Sequence, residues 1–515
     1  MSLKQRTILI LVLCLSIGAA LRLYHFDQKS LWTDEVYTFN DSRDSIKDQL
    51  NFYSKNPTHA HPPLFFMLTH LFYPFTKPER EIRILPLVFG SLSIPLMFFL
   101  ARLFSPGIAI PCTLSLTFMA YHISLSQEGR SYSFLMFVGL AGLFFLMKHL
   151  QTSKRRYLLP TVICLAVSFY TSYSSIPFIT LSQVLWLYKG NDHGHKVTWP
   201  PFLTLNGLLL LFCLPWALFV ASSYAGQAIM HPRHTEGVGS FWFVFTGLLR
   251  DWTASLPLAV ASATLLILLP AWRNHRKNGL VLLTLFILPI GGVYLFCRLL
   301  NITHFIASKY FIDFMPLFLI SLYLSLEHLE FRFQRIRRVI RLRTIFVILF
   351  IASNLTLLPL YYRSEKQDFR GLANYLAGHL EDGDKIFVQD LALAPGILHY
   401  LGIYPQGRHY IVPVWRDTEK NTEFSMIHVS YRNKIFSIYS SETCCTQYLE
   451  EESRLWVVAE KVWAKQIKEE GVFALKGYFD GSFANINRFP MDVSLYLFLR
   501  DPKLLGERGM DMPTE

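Results

Sequence analysis

Two adjacent carboxylates, Asp34 and Glu35, stand in the stretch SLWTDEVYT (30–38), about a dozen residues past a long apolar run. Neighbours on a helix point roughly 100° apart. The two acids therefore take separate roles, one facing a reaction cavity and the other pairing with a cation or orienting the first. A carboxylate placed at a membrane surface can accept the proton of an acceptor hydroxyl or amine.

Three other stretches could hold an anion. In HAHPPLFFMLTHLF (59–72) the apolar piece 62–75 is too short to span and suits a helix lying in the interface. Pro62 fits its first turn, and the free N–H groups at that end, with His61 beside them, would receive a phosphate. A plain amphipathic brace fits the same residues. In SQEGRSY (126–132) Glu128 and Arg130 lie between two apolar runs, followed by Tyr132. Charges there must be paired or wet, so they read either as a structural pair or as an anion site built on Arg130. Lys309 and Tyr310 open another apolar run, with Asp313 one turn deeper, and read as interface anchors or as a cationic site. His59 and His61 would face the same way in extended chain, near Asp34, but their spacing fixes no third ligand. No metal site is predicted and no cofactor is required, although a divalent metal remains compatible with the acids.

The elements that must position these groups follow from the distribution of charge. Of 515 residues 52% are hydrophobic, 15% aromatic and only 17% charged, against roughly 25% charged in an average soluble domain. The net charge of +12 gathers beside apolar runs at 4–6, 154–156, 273–277 and 332–343. No nucleic-acid reading module accompanies it, so nucleic acid is not expected as a partner.

A span needs ~20 apolar residues. About eleven candidates fall at 7–23, 82–102, 108–125, 131–149, 157–172, 175–188, 199–222, 254–272, 280–299, 310–327 and 344–361. The first could also be read as a signal peptide. With the N-terminus in the cytoplasm, the loops at 103–107, 150–156, 189–198, 273–279 and 328–343 hold nearly all the clustered Lys and Arg. The loop at 24–81, with its acids, then lies outside. Residues 1–361 form the membrane domain.

Residues 362–515 have no 18-residue apolar run and read as a small extracytoplasmic α/β domain. Helices are expected at 364–380 and 462–470, and strands at 385–389, 409–415, 455–459 and 493–499. Five of seven cysteines lie in apolar runs, and the adjacent Cys444 and Cys445 are poorly placed to bridge.

One reaction uses an acid, an anion grip and a bilayer together: transfer of a sugar from a lipid phosphate. A single base suffices, because phosphate leaves without an acid, and the anomeric carbon inverts. The sequence resembles the GT-C membrane glycosyltransferases at this point, most closely the protein O-mannosyltransferase and aminoarabinose transferase (ArnT-like) group. Four segments carry the resemblance, in order: SLWTDEVYT, HPPLFF (61–66), SQEGRSYSF (126–134) and SKYFIDFMP (308–316). They cover residues 1–361.

The resemblance implies a hexosyl or pentosyl transferase with a polyprenyl-phosphate sugar donor. The acceptor would be a lipid, glycan or protein at the outer face of the cell membrane. Asp34 would be the base and Glu35 would support it. His61, Arg130 and Lys309 would lie at the donor phosphate, with His59, Glu128, Tyr132 and Tyr310 around them. Two positions depart from the family pattern. His61 stands where Lys is common, and titrates near neutrality. Lys309 stands where Arg is usual, and lacks the bidentate fork. The alternative function is a transporter or flippase of lipid-linked sugars, with the acids as buried coupling sites.

Overall fold

Hydrocarbon offers the backbone no hydrogen-bond partner, so an apolar run that enters it must satisfy its own N–H and C=O groups as helix. Each of the eleven runs is built on helix over its described residues. The computed structural model describes residues 3–55, 60–188, 199–224, 241–271, 276–299, 307–334, 341–403, 414–417, 422–441, 454–469, 472–481 and 493–500. His59, Cys444, Cys445 and most of the expected strand at 409–415 lie outside them.

The chain begins with α1 (Leu3–Leu23), α2 (Thr33–Arg43), α3 (Ile46–Lys55), α4 (Leu64–His70), α5 (Pro78–Glu81) and α6 (Ile84–Phe104). It continues through α7 (Ala109–Phe118), α8 (Ala120–Ser126), α9 (Tyr132–Thr152), α10 (Leu158–Thr171), α11 (Ser175–Ser182) and α12 (Trp199–Tyr224). Then come α13 (Phe241–Thr253), α14 (Leu256–Leu268), α15 (Arg276–Leu299), α16 (Met315–Gln334) and α17 (Leu342–Arg363).

Among the described residues seven helices are long and apolar enough to cross a bilayer, or nine if each of two bent pairs counts as one span. The expected count of about eleven is reached only by adding the shorter α10 and α11. Helices α3 and α13 were not expected. Phe241–Thr253 lies outside the eleven runs and turns 110° into the next helix. The corner is Ala254, held at φ 65°, a left-handed conformation that costs a residue with a Cβ.

The chain divides into two units: Met1–Phe26, Ser45–Tyr73 and Arg83–Pro359; and Asp27–Asp44, Pro74–Ile82 and Leu360–Glu515. The last segment of the first unit ends at Pro359. Parts of the first loop, 27–44 and 74–82, group with the C-terminal residues instead of the spans.

In the membrane unit the second bent pair is α7–α8, kinked by 58°. A break inside a span exposes backbone groups that need partners, and two side chains supply them. Arg22, 0% exposed, donates through Nη2 to Leu116 O at 3.2 Å and through Nη1 to Thr117 O at 3.4 Å. On the far side Ala120 N donates to Asn354 Oδ1 at 2.8 Å. Small residues let the helices close. A Cβ on Gly90 would stand 2.2 Å from Ser126 Oγ, so only glycine lets α6 approach α8 there. At the end holding the basic run, Arg343 bridges Glu330 at 2.7 Å and Glu327 at 2.8 Å and donates to Gly107 O at 2.9 Å.

The other unit carries α18 (Phe369–His379), α19 (Ala394–Tyr400) and α20 (Lys461–Glu469) around one seven-stranded sheet. Its strands are β1 (Lys385–Val388), β2 (Val414–Asp417), β3 (Thr422–Tyr431), β4 (Lys434–Ser441), β5 (Leu455–Glu460), β6 (Ala474–Phe479) and β7 (Leu495–Arg500), in the order β2-β3-β4-β1-β5-β7-β6. β1 is parallel to both its neighbours and the other pairings are antiparallel. Central strands buried on both faces read as continuous apolar runs, as LWVVA in β5 and LYLFL in β7 do. The hairpin β3–β4 alternates more and was not foreseen. Gly383 takes φ 81° in the turn before β1, where a Cβ would be strained.

Candidate functional site

The acidic helix is built first from its own end. Trp32 is the N-cap of α2, and the N3 residue Glu35 reaches back, its Oε2 accepting from Trp32 N at 3.4 Å. This is the returning half of a capping box. Glu35 is 2% exposed, whereas Asp34, at N2, is half-buried. Glu35 thus closes the helix end. Two carboxylates in the first turn also complement the helix dipole. Helix α2 packs Val36 and Phe39 against Leu31, Ile82 and Tyr400. Phe39 meets the His399 ring edge-on, centroids 4.7 Å apart.

His399 is 7% exposed, and burial lowers its pKa to about 4; nearby Arg43 and Arg370 add to the effect and Glu79 opposes it. The unfolded chain binds its proton near pH 6.5, so the neutral ring stabilises the fold fully above that pH. Stability is expected to fall as pH drops from about 6.5 to about 4, by up to about 3 kcal/mol. His399→Leu should flatten that slope in thermal unfolding of the full-length protein; an unchanged slope would place the titration elsewhere.

The cationic groups belong to the membrane unit. The 3-10 segment Ser308–Phe314 precedes α16 and carries Lys309, Tyr310 and Asp313. Lys309 Nζ stands 5.2 Å from the centre of the Tyr132 ring and 5.9 Å from that of Tyr310. Ser308 Oγ donates to Asp251 Oδ2 at 2.6 Å. The Tyr121 hydroxyl is buried within the fields of Asp251, Lys309 and Glu128. Three stretches distant in sequence therefore converge: residues 121–132 (α8 and the start of α9), the end of α13 and the segment before α16. Arg130 lies two residues before Tyr132, half-buried, its N donating to Glu128 O at 2.7 Å. Asp313 is 2% exposed, and its Oδ1 has no hydrogen-bond partner among the described residues.

Behind this cluster Arg22 organises the chain leading to Arg130. Its Nη2 meets His122 Nδ1 at 2.7 Å and its Nε donates to Ser126 Oγ at 3.3 Å. A guanidinium only donates, so Nδ1 accepts and the His122 proton resides on Nε2. Gln127 Nε2 donates to Arg22 O at 2.7 Å and Tyr24 O at 2.8 Å, capping the end of α1. Arg22, Tyr121, His122, Gln127 and Asp251 had not been singled out. Asp251 sits on the unforeseen helix α13. Arg22 looked like an ordinary charge at a span end.

The stretch at 59–75 corrects one expectation. Its helix is only seven residues, Leu64–His70, with Pro63 as N-cap, so Pro62 lies outside the first turn. A residue before proline is driven from helical backbone, which excludes Pro62 at one end, and Pro74 prevents continuation at the other. The N–H groups of Leu64, Phe65 and Phe66 are those that this helix start leaves without intrahelical acceptors. His61 is exposed, its ring 6.5 Å from that of Phe66. No group of three or more His, Cys, Asp or Glu suited to a metal occurs among the described residues.

This helical architecture is the fold of the GT-C membrane glycosyltransferases. The chain is similar to ArnT from Cupriavidus metallidurans bound to undecaprenyl phosphate, at 12% identity and a TM-score of 0.52, with 98% of this chain and 100% of that one covered. The apo structure of the same ArnT gives 11% identity and a TM-score of 0.54 over the same shares. A partial likeness links 75% of this chain to 30% of the mycobacterial arabinofuranosyltransferase AftD, at 16% identity and a TM-score of 0.45. No family model and no curated protein matches the chain.

Proposed function

We propose that this protein is an inverting glycosyltransferase that moves a hexose or pentose from a polyprenyl phosphate to a lipid, glycan or protein acceptor. The reaction takes place at the outer face of the cell membrane, with the N-terminus in the cytoplasm and the C-terminal domain outside. The observation that carries the reading is the Lys309–Tyr132 cluster, a cation set at the opening of two spans and two residues from Arg130, on a fold that in ArnT was solved with undecaprenyl phosphate bound.

In the proposed step Asp34 takes the proton of the acceptor hydroxyl or amine. The freed lone pair attacks the anomeric carbon from the face opposite the phosphate. The carbon–oxygen bond to phosphate breaks, and the lipid phosphate leaves with that electron pair, its charge met by Lys309 and Arg130. Glu128, Tyr132 and Tyr310 keep these cations in place. His61 adds positive charge only when protonated, and Glu35 acts through the helix end it caps.

Lys309→Met is expected to slow transfer about 100-fold, the usual loss when one charge-stabilising donor is removed. Lys309→Arg should retain most of the rate, since the charge persists. Initial rates in membranes supplied with undecaprenyl-phosphate-linked sugars measure both, and a Met variant at wild-type rate overturns the assignment. Lipid and glycan analysis of a strain lacking the protein should show one missing sugar.

A further inference from the structure

We infer that the C-terminal domain is the positioning element of the acidic helix, with Gln367 and Tyr400 as positioning residues that fix the α2 backbone and so aim Asp34. The chemistry rests on the function proposed above; the geometry does not. Four successive backbone N–H groups lead into and open α2, and each is held by a side chain. Ser30 N donates to Glu365 Oε2 at 3.0 Å and Leu31 N to Tyr400 Oη at 2.6 Å. Trp32 N donates to Glu35, and Thr33 N to Gln367 Oε1 at 3.2 Å, where the Thr33 hydroxyl also donates at 2.8 Å. Those of Trp32 and Thr33 are donors that a helix start leaves without intrahelical partners; those of Ser30 and Leu31 lie in the segment that leads into it. Water would ordinarily serve them. Here three of the four acceptors come from residues more than 330 positions away.

The acceptors are themselves locked. Gln367 is 2% exposed, and its Nε2 donates to Glu460 Oε1 at 3.3 Å, at the end of the central strand β5. Tyr400 Oη donates to Glu79 Oε1 at 3.1 Å, and Arg370 Nη2 grips the same oxygen at 2.8 Å. Arg370 also donates through Nη1 to Gln28 O at 2.9 Å. A simple brace would need only the apolar seat of Val36 and Phe39. The added hydrogen bonds fall on Ser30, Leu31 and Thr33, just before Asp34, and through Gln367 and Glu460 they reach the sheet. Holding a reacting group to within about 1 Å is worth up to about 100-fold in rate.

The test uses the full-length protein in lipid nanodiscs, with Gln367→Ala, Tyr400→Phe and their combination. In hydrogen–deuterium exchange the double variant should raise exchange at 33–39 about tenfold or more, with 385–388 and 455–460 unchanged. With the undecaprenyl-phosphate-linked hexose or pentose that the wild type consumes, kcat should fall about tenfold in each single variant and about 100-fold in the double. Donor KM should stay within about twofold, because the groups proposed for the phosphate are left alone. The exchanged pair Gln367→Glu with Glu460→Gln keeps an acceptor for Thr33 and a donor–acceptor match at 460, and should restore the rate. Wild-type exchange at 33–39 in the double variant, or loss of protection across the sheet as well, overturns the inference. Transfer surviving in Asp34→Asn would instead sink the proposed function, while the exchange measurement still decides the clamp.

Discussion

Asp34→Asn is expected to insert and fold normally and to lose sugar transfer by about 1000-fold. Asn keeps the size and shape of the side chain but cannot accept the proton, and positioned general-base catalysis contributes roughly 100- to 10,000-fold. Glu35→Gln is the informative companion. Glu35 is spent on the helix end, where its carboxylate accepts from Trp32 N, and Gln fills the same capping role. That variant should therefore remain within a few-fold of wild type. Single-turnover rates at saturating donor measure both. Should Glu35→Gln be as inactive as Asp34→Asn, the division of labour is wrong; should Asp34→Asn turn over normally, the base is another group.

The second large effect is on folding. Arg22→Ala is expected to destabilise the membrane unit by about 3 kcal/mol and to remove transfer with it. The deletion strands the carbonyls of Leu116 and Thr117 and the His122 nitrogen, each a buried group costing about 1–3 kcal/mol when left bare. Membrane bonds often count for less because the unfolded chain finds other partners, which keeps the sum at the low end. Arg22→Lys should be intermediate, since three donors on one nitrogen cannot reach what the planar fork reaches. Denaturation in detergent compared with the wild type is the measurement. An unshifted transition for Arg22→Ala would mean that the α7–α8 break does not depend on this guanidinium.

Much of the molecule was legible in order of residues alone, for a physical reason. Hydrocarbon imposes one rule on every backbone group, so long uncharged runs had to be helices, and clustered Lys and Arg marked their ends. Buried strands announce themselves equally well: Lys385–Val388, Leu455–Glu460 and Leu495–Arg500 appear close to where their apolar runs placed them. The acidic motif and the cationic residues at span ends were likewise picked out by residue type and spacing.

What tertiary structure decided lies where partners are remote. No local pattern tells that Asp251 joins Ser308, or that Lys309 stands over Tyr132, because those contacts close over long stretches of chain. Arg22 reads as one more charge at a span end until a broken helix supplies the carbonyls it caps. The short length of α4 was written in Pro62, Pro63 and Pro74, yet its apolar content suggested more. The grouping of 27–44 with the C-terminal residues rests on Gln367 and Tyr400 meeting bare N–H groups far away in sequence. Composition and periodicity determine which segments must be buried and in what form. Which buried groups satisfy one another depends on the packing of distant segments, and only the folded chain settles that.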